Sequence, residues 1–238
     1  QENKGVSTAR NRGVHESSTD FIAFLDADDE WETDHLEVLL RLKCSFPEAG
    51  AYTTAYFYVY PGGKIVPAKF KAIPASPWEG ILSDYFKAAA LGDPPATSST
   101  IAIKKTIFEE LGGFKVFLKR GEDLDLWARL ALREDIAFSW QGIGLYFKTD
   151  NLSACNINTD FYNGYFYEEA IFDKLKASHK TKYYNQYVNK IKISQIKRML
   201  EYNKTKKALK ETLSLRISQC IKIDYLKLWV KLVIHLLR

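Results

Sequence analysis

Segments with two kinds of apolar spacing alternate along residues 3–148, and this alternation restricts the fold more than any other feature of the chain. Short runs rich in β-forming residues, such as DFIAFL at 20–25 and AYTTAYFYVY at 51–60, lie between segments whose apolar residues recur at helical spacing. Strands that alternate with helices favour an α/β fold, in which helices cover the faces of a sheet.

Caps and turns place the individual elements. One helix is expected to begin after Thr33 or Asp34, and its apolar face is formed by four leucines, Leu36, Leu39, Leu40 and Leu42. The other predicted helices are residues 3–17, 78–91, 105–111 and 122–133. The predicted strands are residues 20–25, 51–60, 98–103, 136–140 and 144–148.

Charge divides the chain into two parts. Residues 174–238 contain 17 lysines and arginines against three acids, a local charge of +14, whereas residues 1–173 have a local charge of −9. The composition, 46% hydrophobic and 14% aromatic, is sufficient for a packed core. Because the three cysteines are far apart and no apolar run reaches about 18 residues, we expect a protein of a reducing compartment that does not cross a membrane.

Three aspartates follow the first predicted strand, in the segment FLDADDEW. Ligands of α/β proteins bind beyond the carboxyl ends of strands, which is where Asp26, Asp28 and Asp29 lie. In extended chain Asp26 and Asp28 would project to the same side, and such carboxylates suit Mg²⁺ or Mn²⁺ together with substrate phosphates. A solvated acidic loop that leads into a capped helix explains the same residues.

A second acidic cluster, Glu122, Asp123 and Asp125, begins the helix predicted at 122–133. A carboxylate at position 123, held over a cleft by the helix behind it, is suited to act as a general base. The alternative is a set of helix-terminal acids that interact with the helix dipole and with nearby arginines.

Three stretches in this order, GVSTARNRGVHESSTDFIAFLDADDEW, SSTIAIKKTIFEELGGF and GEDLDLWARLAL, resemble the family 2 glycosyltransferases of GT-A fold. The resemblance runs from about Gly5 to Ser153. It implies a GT-A-like, Rossmann-like, mostly parallel sheet with flanking helices. It also implies inverting transfer of a sugar from a nucleotide-sugar donor, of UDP type, to an acceptor hydroxyl.

The resemblance also implies roles for single residues. Asp26 and Asp28 match the DxD motif that holds a divalent cation, Mn²⁺ or Mg²⁺, on the donor diphosphate, with Asp28 the more direct ligand and Asp29 a supporting neighbour. Asp123 matches the base that deprotonates the acceptor. Glu122 would shape the acceptor site.

Other matches are open to two explanations. Arg10 resembles a position that approaches the nucleotide, although an arginine that braces the acidic loop explains it equally well. Gly113 and Phe114 resemble a turn near the donor sugar, although a glycine helix stop followed by a core phenylalanine fits too. Ser99 leads into a strand below the cleft, which strand propensity also explains.

The chain departs from the family pattern in three places. The strand and DDGS-like loop that bind the nucleotide base are missing before QENKG, so we expect a partial GT-A domain over residues 1–155 that lacks the first nucleotide-binding strands. No QxxRW motif follows the GED segment, which argues against processive synthesis. Thr149 stands where many relatives have a histidine, so a metal ligand from that position is not expected.

Residues 156–238 are predicted to form a basic helical extension. In YLKLWVKLVIHLLR the basic residues form one helical stripe, so residues 222–238 either lie in a membrane interface or pack on the domain with a solvated lysine stripe. Membrane contact would suit a glycan or lipid-linked acceptor in cell-envelope polysaccharide or glycolipid synthesis. The expected location is cytoplasmic, with peripheral attachment to the inner face of the plasma membrane.

Two further classes of function compete with the enzyme. The basic tail is compatible with nucleic-acid binding, but its lysines alternate with helix-period apolar residues and no nucleic-acid-binding motif is present, so we expect no nucleic-acid partner. A catalytically inactive interaction module is the other alternative.

Overall fold

The computed structural model describes residues 2–118, 120–148, 181–215, 220 and 222–236. The chain divides into two compact units, Gln1–Tyr167 and Glu168–Arg238. The boundary predicted at residue 155 and the position of Thr149 both lie outside the described residues.

The first unit alternates helices and strands, as the sequence predicts. Its helices are α1 (Val6–Glu16), α2 (His35–Ser45), α3 (Tyr85–Leu91), α4 (Lys105–Glu110) and α5 (Glu122–Arg133). Its strands are β1 (Phe21–Ala23), β2 (Glu30–Trp31), β3 (Ala51–Val59), β4 (Ile65–Pro67), β5 (Glu79–Ile81), β6 (Ile101–Lys104) and β7 (Ile136–Phe147). The α/β fold class is confirmed.

The seven strands form one mixed sheet in the order β1-β6-β3-β7-β2, with β4 on β3 and β5 on β7. β3 and β7 pair in parallel, whereas the other pairings among the described residues are antiparallel. The expectation of a mostly parallel sheet is therefore wrong. The cause is local: β6 runs in reverse between β1 and β3, and a tight turn at Gly62 and Gly63, with φ of 83° and 80°, folds β4 back on β3.

Both faces of the central strands are covered. On one face, Leu39 and Leu42 of α2 pack against Tyr52, Ala102 and Ala137, which are register partners on β3, β6 and β7. Because side chains alternate along a strand, the neighbouring residues point to the opposite face, and these are buried too. The aromatic rings of Phe24, Phe108, Phe114 and Trp127 contact one another at centroid distances of 5.4 to 6.1 Å and join the start of the acidic loop to α4 and α5.

The side of α2 that is buried differs from the predicted one. Leu36 and Leu40, predicted to be buried, are 50% and 53% exposed. The buried side instead begins at His35, whose ring stacks on Trp31 and contacts the Gly142 carbonyl oxygen through Nδ1 at 2.5 Å. An aromatic anchor at the first turn of the helix therefore sets the rotation of the helix.

Two other boundaries differ from prediction. The helix expected at 78–91 is a strand, β5, followed by α3, because Asp84 caps α3 by accepting a hydrogen bond from the Lys87 N–H at 3.0 Å. The two short strands expected at 136–148 form one strand, β7, whose pairing with β3 shifts register between Thr54 and Tyr56.

The described residues of the second unit are mainly helical, as predicted for the extension. Its helices are α6 (Thr181–Glu201), α7 (Thr205–Ser214) and α8 (Lys222–Leu236). Their buried residues form one apolar cluster, which contains Ile193, Ile196, Leu200, Leu228 and Leu232 among others.

An ion pair on α5 fixes the turn that follows α4. Arg129 donates to Asp125 at 2.6 and 2.9 Å, and its remaining N–H groups donate to the carbonyl oxygens of Leu111 and Gly113 at 2.5 and 2.8 Å. The side chains of Arg129 and Asp125 are only 7% and 1% exposed. One buried guanidinium therefore binds Oδ2 of a buried carboxylate and two turn carbonyls, whereas Oδ1 of Asp125 has no hydrogen-bond partner among the described residues.

Replacing Arg129 with methionine is expected to lower the free energy of unfolding by about 3–5 kcal/mol, because it leaves the Asp125 carboxylate buried without its counter-charge. Arg133→Met is the matched control on the same helix, where the Arg133 side chain is 47% exposed and pairs with Glu110 and Glu134, and its loss should cost less than about 1 kcal/mol. Urea unfolding followed by tryptophan fluorescence measures both. Equal losses would contradict the role assigned to the buried pair.

Candidate active site

The acidic loop is a β-turn. The Asp29 N–H donates to the Asp26 carbonyl oxygen at 3.0 Å, which places Ala27 and Asp28 at the tip of the turn. The expectation that Asp26 and Asp28 alternate in extended chain is therefore wrong. The three aspartates instead differ in environment: Asp26 is half-buried, Asp28 is exposed and Asp29 is buried.

Asp29 attaches the turn to two strands of the sheet. Its carboxylate accepts hydrogen bonds from the Ser99 hydroxyl at 2.5 Å and from the Phe147 N–H at 3.0 Å. The Ser99 hydroxyl also accepts a hydrogen bond from the Asp26 N–H at 3.1 Å, and the Trp31 indole N–H donates to the Ser99 carbonyl oxygen at 2.6 Å. We call these contacts the Asp29 network; they hold the turn between the entry to β6 and the end of β7.

Burial raises the pKa of Asp29 to about 6, although the hydrogen bonds from Ser99 and Phe147 oppose the shift. Both oxygens of this carboxylate are occupied by protein donors. The geometry fits the supporting position expected for Asp29, and it places Ser99 in the same buried network instead of on an open surface.

Arg10 of α1 links the acidic turn to α5. Its guanidinium forms ion pairs with Asp26 and, at 2.8 Å, with Glu122, and its Cζ lies 5.2 Å from the centroid of the Phe114 ring. Burial alone would lower the pKa of Arg10, but the charge and hydrogen bond of Asp26, together with the charges of Asp123 and Glu122, raise it. The structure therefore has Arg10 bracing the acidic loop, one of the two explanations that the sequence left open.

The glycine turn lies directly beneath Arg10. Gly113 has a φ of 62°, and a Cβ at this position would lie 2.8 Å from the side-chain oxygen of Asn11. Asn11 clamps Phe114 on both sides, because it donates to the Phe114 carbonyl oxygen at 2.7 Å and accepts from the Phe114 N–H at 2.8 Å. Phe114 is 1% exposed, so it supports the guanidinium of Arg10 from below.

The N-terminus of α5 presents two adjacent acids to this cluster. Glu122 is buried and paired with Arg10, whereas Asp123 is half-buried. Burial raises the pKa of Asp123 to about 7; repulsion from Glu122 adds to the shift, and the charge of Arg10 opposes it. A carboxylate that titrates near neutral pH next to a cation has the properties of a general base.

The structure thus brings most of the predicted residues together. Arg10 contacts Asp26, Glu122 and Phe114 directly, and Asp123 is within electrostatic range of Arg10. Asp28 lies at the exposed tip of the turn. The chemical roles predicted for these residues stay predictions.

Two carboxylates of the acidic turn could hold a hard cation. Within the described residues, no three His, Cys, Asp or Glu side chains converge as a complete protein-built metal site would require. Mg²⁺ and Mn²⁺ need fewer protein ligands, because one or two carboxylates with substrate phosphates and water complete their coordination. The exposed Asp28 carboxylate and the half-buried Asp26 carboxylate fit that donor set.

A cleft of about 390 Å³ opens next to this cluster, between α1 and β1. Arg10 and Leu25 line it together with residues of β1. In the described part of the chain, β1 pairs with β6 alone, so its other edge has no strand partner there.

Sequence reasoning missed several residues of the site. Asn11 and Trp31 were not singled out, although they adjoin Arg10 and the acidic run in the sequence. Phe147 contributes only its backbone N–H, which no side-chain pattern signals. Adjacency to a motif was the available signal for the first two.

Ser99→Ala is expected to lower the free energy of unfolding by about 1–3 kcal/mol, because it leaves Oδ2 of the Asp29 carboxylate and the Asp26 N–H without a partner. Ser98→Ala is a matched control: Ser98 is 3% exposed, and its hydroxyl has no hydrogen-bond partner among the described residues. The control should change stability little. Urea unfolding compares the two, and similar losses would argue against the Asp29 network.

Comparison with known proteins points to one family. The chain is 31% identical over 132 residues to the pre-mycofactocin glycosyltransferase of Mycobacterium tuberculosis, a match that covers 53% of this chain and 26% of that protein. It is 35% identical over 54 residues to TuaG of Bacillus subtilis, which its name assigns to teichuronic acid biosynthesis as a glycosyltransferase, and this match covers 21% of each protein. The chain therefore spans about a quarter or less of the length of these curated relatives.

The fold has a solved counterpart. The crystal structure of S. aureus TarS 1-349 in complex with UDP-GlcNAc superimposes with a TM-score of 0.55 at 12% identity, over 98% of this chain and 62% of that chain. At this identity the similarity shows the GT-A fold alone.

A family model matches the N-terminal part of the chain. Its description is "Glycosyl transferase family 2", and it covers residues 1–112, which include Arg10, the acidic turn and Ser99. The match ends ten residues before Glu122. Residues 1–112 of this chain are therefore similar to glycosyltransferase family 2.

Proposed function

We propose that the protein is an inverting, non-processive glycosyltransferase that moves a sugar from a UDP-type nucleotide-sugar donor to an acceptor hydroxyl. The observation that carries the proposal is the double ion pair of Arg10, which joins the acidic turn of Asp26 to the α5 terminus that bears Asp123. A donor-binding segment and a base candidate are thereby held against each other, although they are about a hundred residues apart in the sequence.

Asp28 and Asp26 are the residues that would hold the divalent cation, Mn²⁺ or Mg²⁺. Asp28 is exposed at the tip of the turn, and the Asp29 network fixes the backbone on both sides of it. When bound, the cation neutralises the negative charge that develops on the departing diphosphate. The turn supplies rigidity, because a ligand on a fixed loop needs no reordering when the donor arrives.

Asp123 would take the proton from the acceptor hydroxyl. As the O–H bond breaks toward the carboxylate, the acceptor oxygen forms a bond to the anomeric carbon of the donor sugar. The bond from that carbon to the diphosphate oxygen breaks on the opposite face, and its electron pair leaves with the nucleotide diphosphate. A single displacement of this kind inverts the anomeric configuration.

The neighbours of Asp123 would adjust and align the base. Glu122 raises the pKa of Asp123 through repulsion, and Arg10 limits the rise. Glu122 would also shape the acceptor site, and the turn at Gly113 and Phe114 would border the donor sugar. Ser99 and Asp29 would act on the site through the position of the acidic turn.

The acceptor would be a glycan or a lipid-linked saccharide of the cell envelope. The name of TuaG, one of the matched relatives, refers to teichuronic acid biosynthesis, which supports a polysaccharide context. Such acceptors are assembled at membranes, so we place the protein in the cytoplasm, peripherally attached to the inner face of the plasma membrane.

Substitutions at Asp28 and Asp123 should separate donor binding from chemistry. Asp28→Ala is expected to weaken Mn²⁺-dependent UDP binding at least about tenfold, because a cation ligand is lost. Asp123→Asn should bind UDP as the wild type does and lose transfer by about 10²–10⁴-fold, because the amide accepts no proton. Isothermal titration of UDP with Mn²⁺ and a transfer assay, both on the full chain, measure the two effects.

Asp34→Ala is the control for these variants, since Asp34 is an exposed acid of the same segment that makes no side-chain cap bond on α2. Turnover in Asp123→Asn would remove Asp123 from the base role. If Asp28→Ala binds UDP as tightly as the wild type does in the presence of Mn²⁺, the cation role of Asp28 is contradicted. UDP binding without transfer in the wild type would point to an inactive interaction module.

The rate of transfer should depend on pH through Asp123. Its pKa in the folded protein is raised to about 7 and the base form is the deprotonated one, so kcat/KM should fall as pH drops below about 7. Glu122→Gln removes a repulsive charge that raises this pKa, so the acid limb of the profile should move to lower pH. Glu109→Gln, an exposed acid on α4, is the control and should leave the limb in place. An unmoved limb in Glu122→Gln would contradict the assignment.

A further inference from the structure

Helix α8 has two apolar sides, and one of them is packed. Leu228 and Leu232 are fully buried in the cluster formed with Ile193, Ile196 and Leu200. Residues four apart lie on the same side of a helix, so this pair defines the inner side of α8. This inner side packs α8 into the apolar cluster of the second unit.

The opposite side of α8 is also apolar, and it is exposed. Its residues recur at spacings of three and four, and they are 46% to 65% accessible: Ile223, Leu226, Val230, Val233 and Ile234. We call this set the outer apolar face. A run of five large apolar side chains along three turns differs from the scattered exposed leucines of ordinary surfaces, because continuous apolar patches mark interaction sites.

The basic stripe predicted from the sequence does not form the outer surface of this helix. Lys231 pairs with Glu201 of α6 at 2.8 Å, and His235 contacts the Lys231 carbonyl oxygen through Nδ1 at 3.0 Å. Exposed lysines instead border the outer apolar face, Lys222 on the side of Leu226 and Lys227 on the side of Ile223 and Val230. α8 is packed through Leu228 and Leu232 and has Lys227 exposed, so the structure leaves the packed helix with a solvated stripe as an alternative to membrane contact.

The basic charge of residues 174–238 distinguishes between the possible partners of the outer apolar face. Residues 174–238 carry a local charge of +14, so two copies that paired through α8 would bring two strongly basic units together. An anionic surface would attract the same unit. An apolar helix face bordered by lysines is the arrangement that interfacial helices present to anionic lipids. In the described part of the chain, no helix combines the length and the apolar composition needed to cross a membrane.

We propose that the outer apolar face of α8 inserts into the surface of an anionic bilayer, parallel to the membrane plane, with Lys222 and Lys227 at the level of the lipid phosphates. Leu228 and Leu232 keep the helix attached to its own unit while the outer side enters the lipid. This inference rests on the membrane attachment in the proposed function, and it names the outer apolar face of α8 as the surface that makes the contact. The contact is independent of the donor site, so its failure would leave the assignment of Asp28 and Asp123 untouched.

Vesicle flotation with the full chain tests the proposal. Vesicles of phosphatidylcholine mixed with phosphatidylglycerol should carry the wild-type protein upward, and vesicles of phosphatidylcholine alone should carry much less. The double variant Leu226→Gln, Val230→Gln should reduce the partition coefficient on mixed vesicles about tenfold or more, because two apolar side chains no longer enter the lipid. Lys222→Gln with Lys227→Gln should weaken binding to the mixed vesicles and leave binding to neutral vesicles unchanged.

Leu213→Gln is the matched control, since Leu213 lies on α7 of the same unit and is 66% exposed. It should float as the wild type does, and circular dichroism should show equal helix content in every variant. Wild-type flotation by the double variant would overturn the proposal. So would a dimer in light scattering that the double variant dissociates, or salt-sensitive RNA binding without vesicle binding.

Discussion

The ion pairs of Arg10 are the contacts on which the candidate site depends. Asp26, Glu122 and Asp123 would repel one another if they met without a cation, and Arg10 supplies that cation from a third element, α1. Burial strengthens these ion pairs, because charges that are partly removed from water interact strongly, and it makes any unpaired charge costly. Phe114 and Asn11 determine where the guanidinium sits, so the glycine turn is part of the same construction.

The acids of the site are differentiated by their surroundings. Asp26 is neutralised by Arg10, Asp28 is exposed to ligands, Asp29 is buried under two hydrogen bonds, and Asp123 titrates near neutral pH. Four carboxylates of the same chemistry therefore have four environments: one is paired with a cation, one is exposed, one is held by two donors, and one has a raised pKa. The division arises from which backbone and hydroxyl groups reach each carboxylate, and this is a property of the sheet that lies behind them.

The sequence predicted the elements well where local patterns dominate, and poorly where distant contacts decide. β3, α5 and the glycine stop after α4 follow from β-propensity, helical spacing and positive φ, and all three are present. The rotation of α2 depends on His35 meeting Gly142, a contact across more than a hundred residues that helical spacing cannot encode. The reversed direction of β6 is likewise a matter of pairing, and Asp29 becomes an anchor only through Ser99 and the backbone of Phe147.

The same limit explains why the tail could not be read from its sequence. In α8 apolar residues occupy nearly the whole circumference, so periodicity cannot say which side packs, and the lysine stripe was the more visible pattern. Leu228 and Leu232 resolve the ambiguity by packing inward, which leaves a second apolar side that the unit does not use. Keeping such a face in water is unfavourable, and the basic charge around it opposes self-association. A partner that is both apolar and anionic removes the apolar face from water without bringing two basic units together, and a lipid surface combines these two properties.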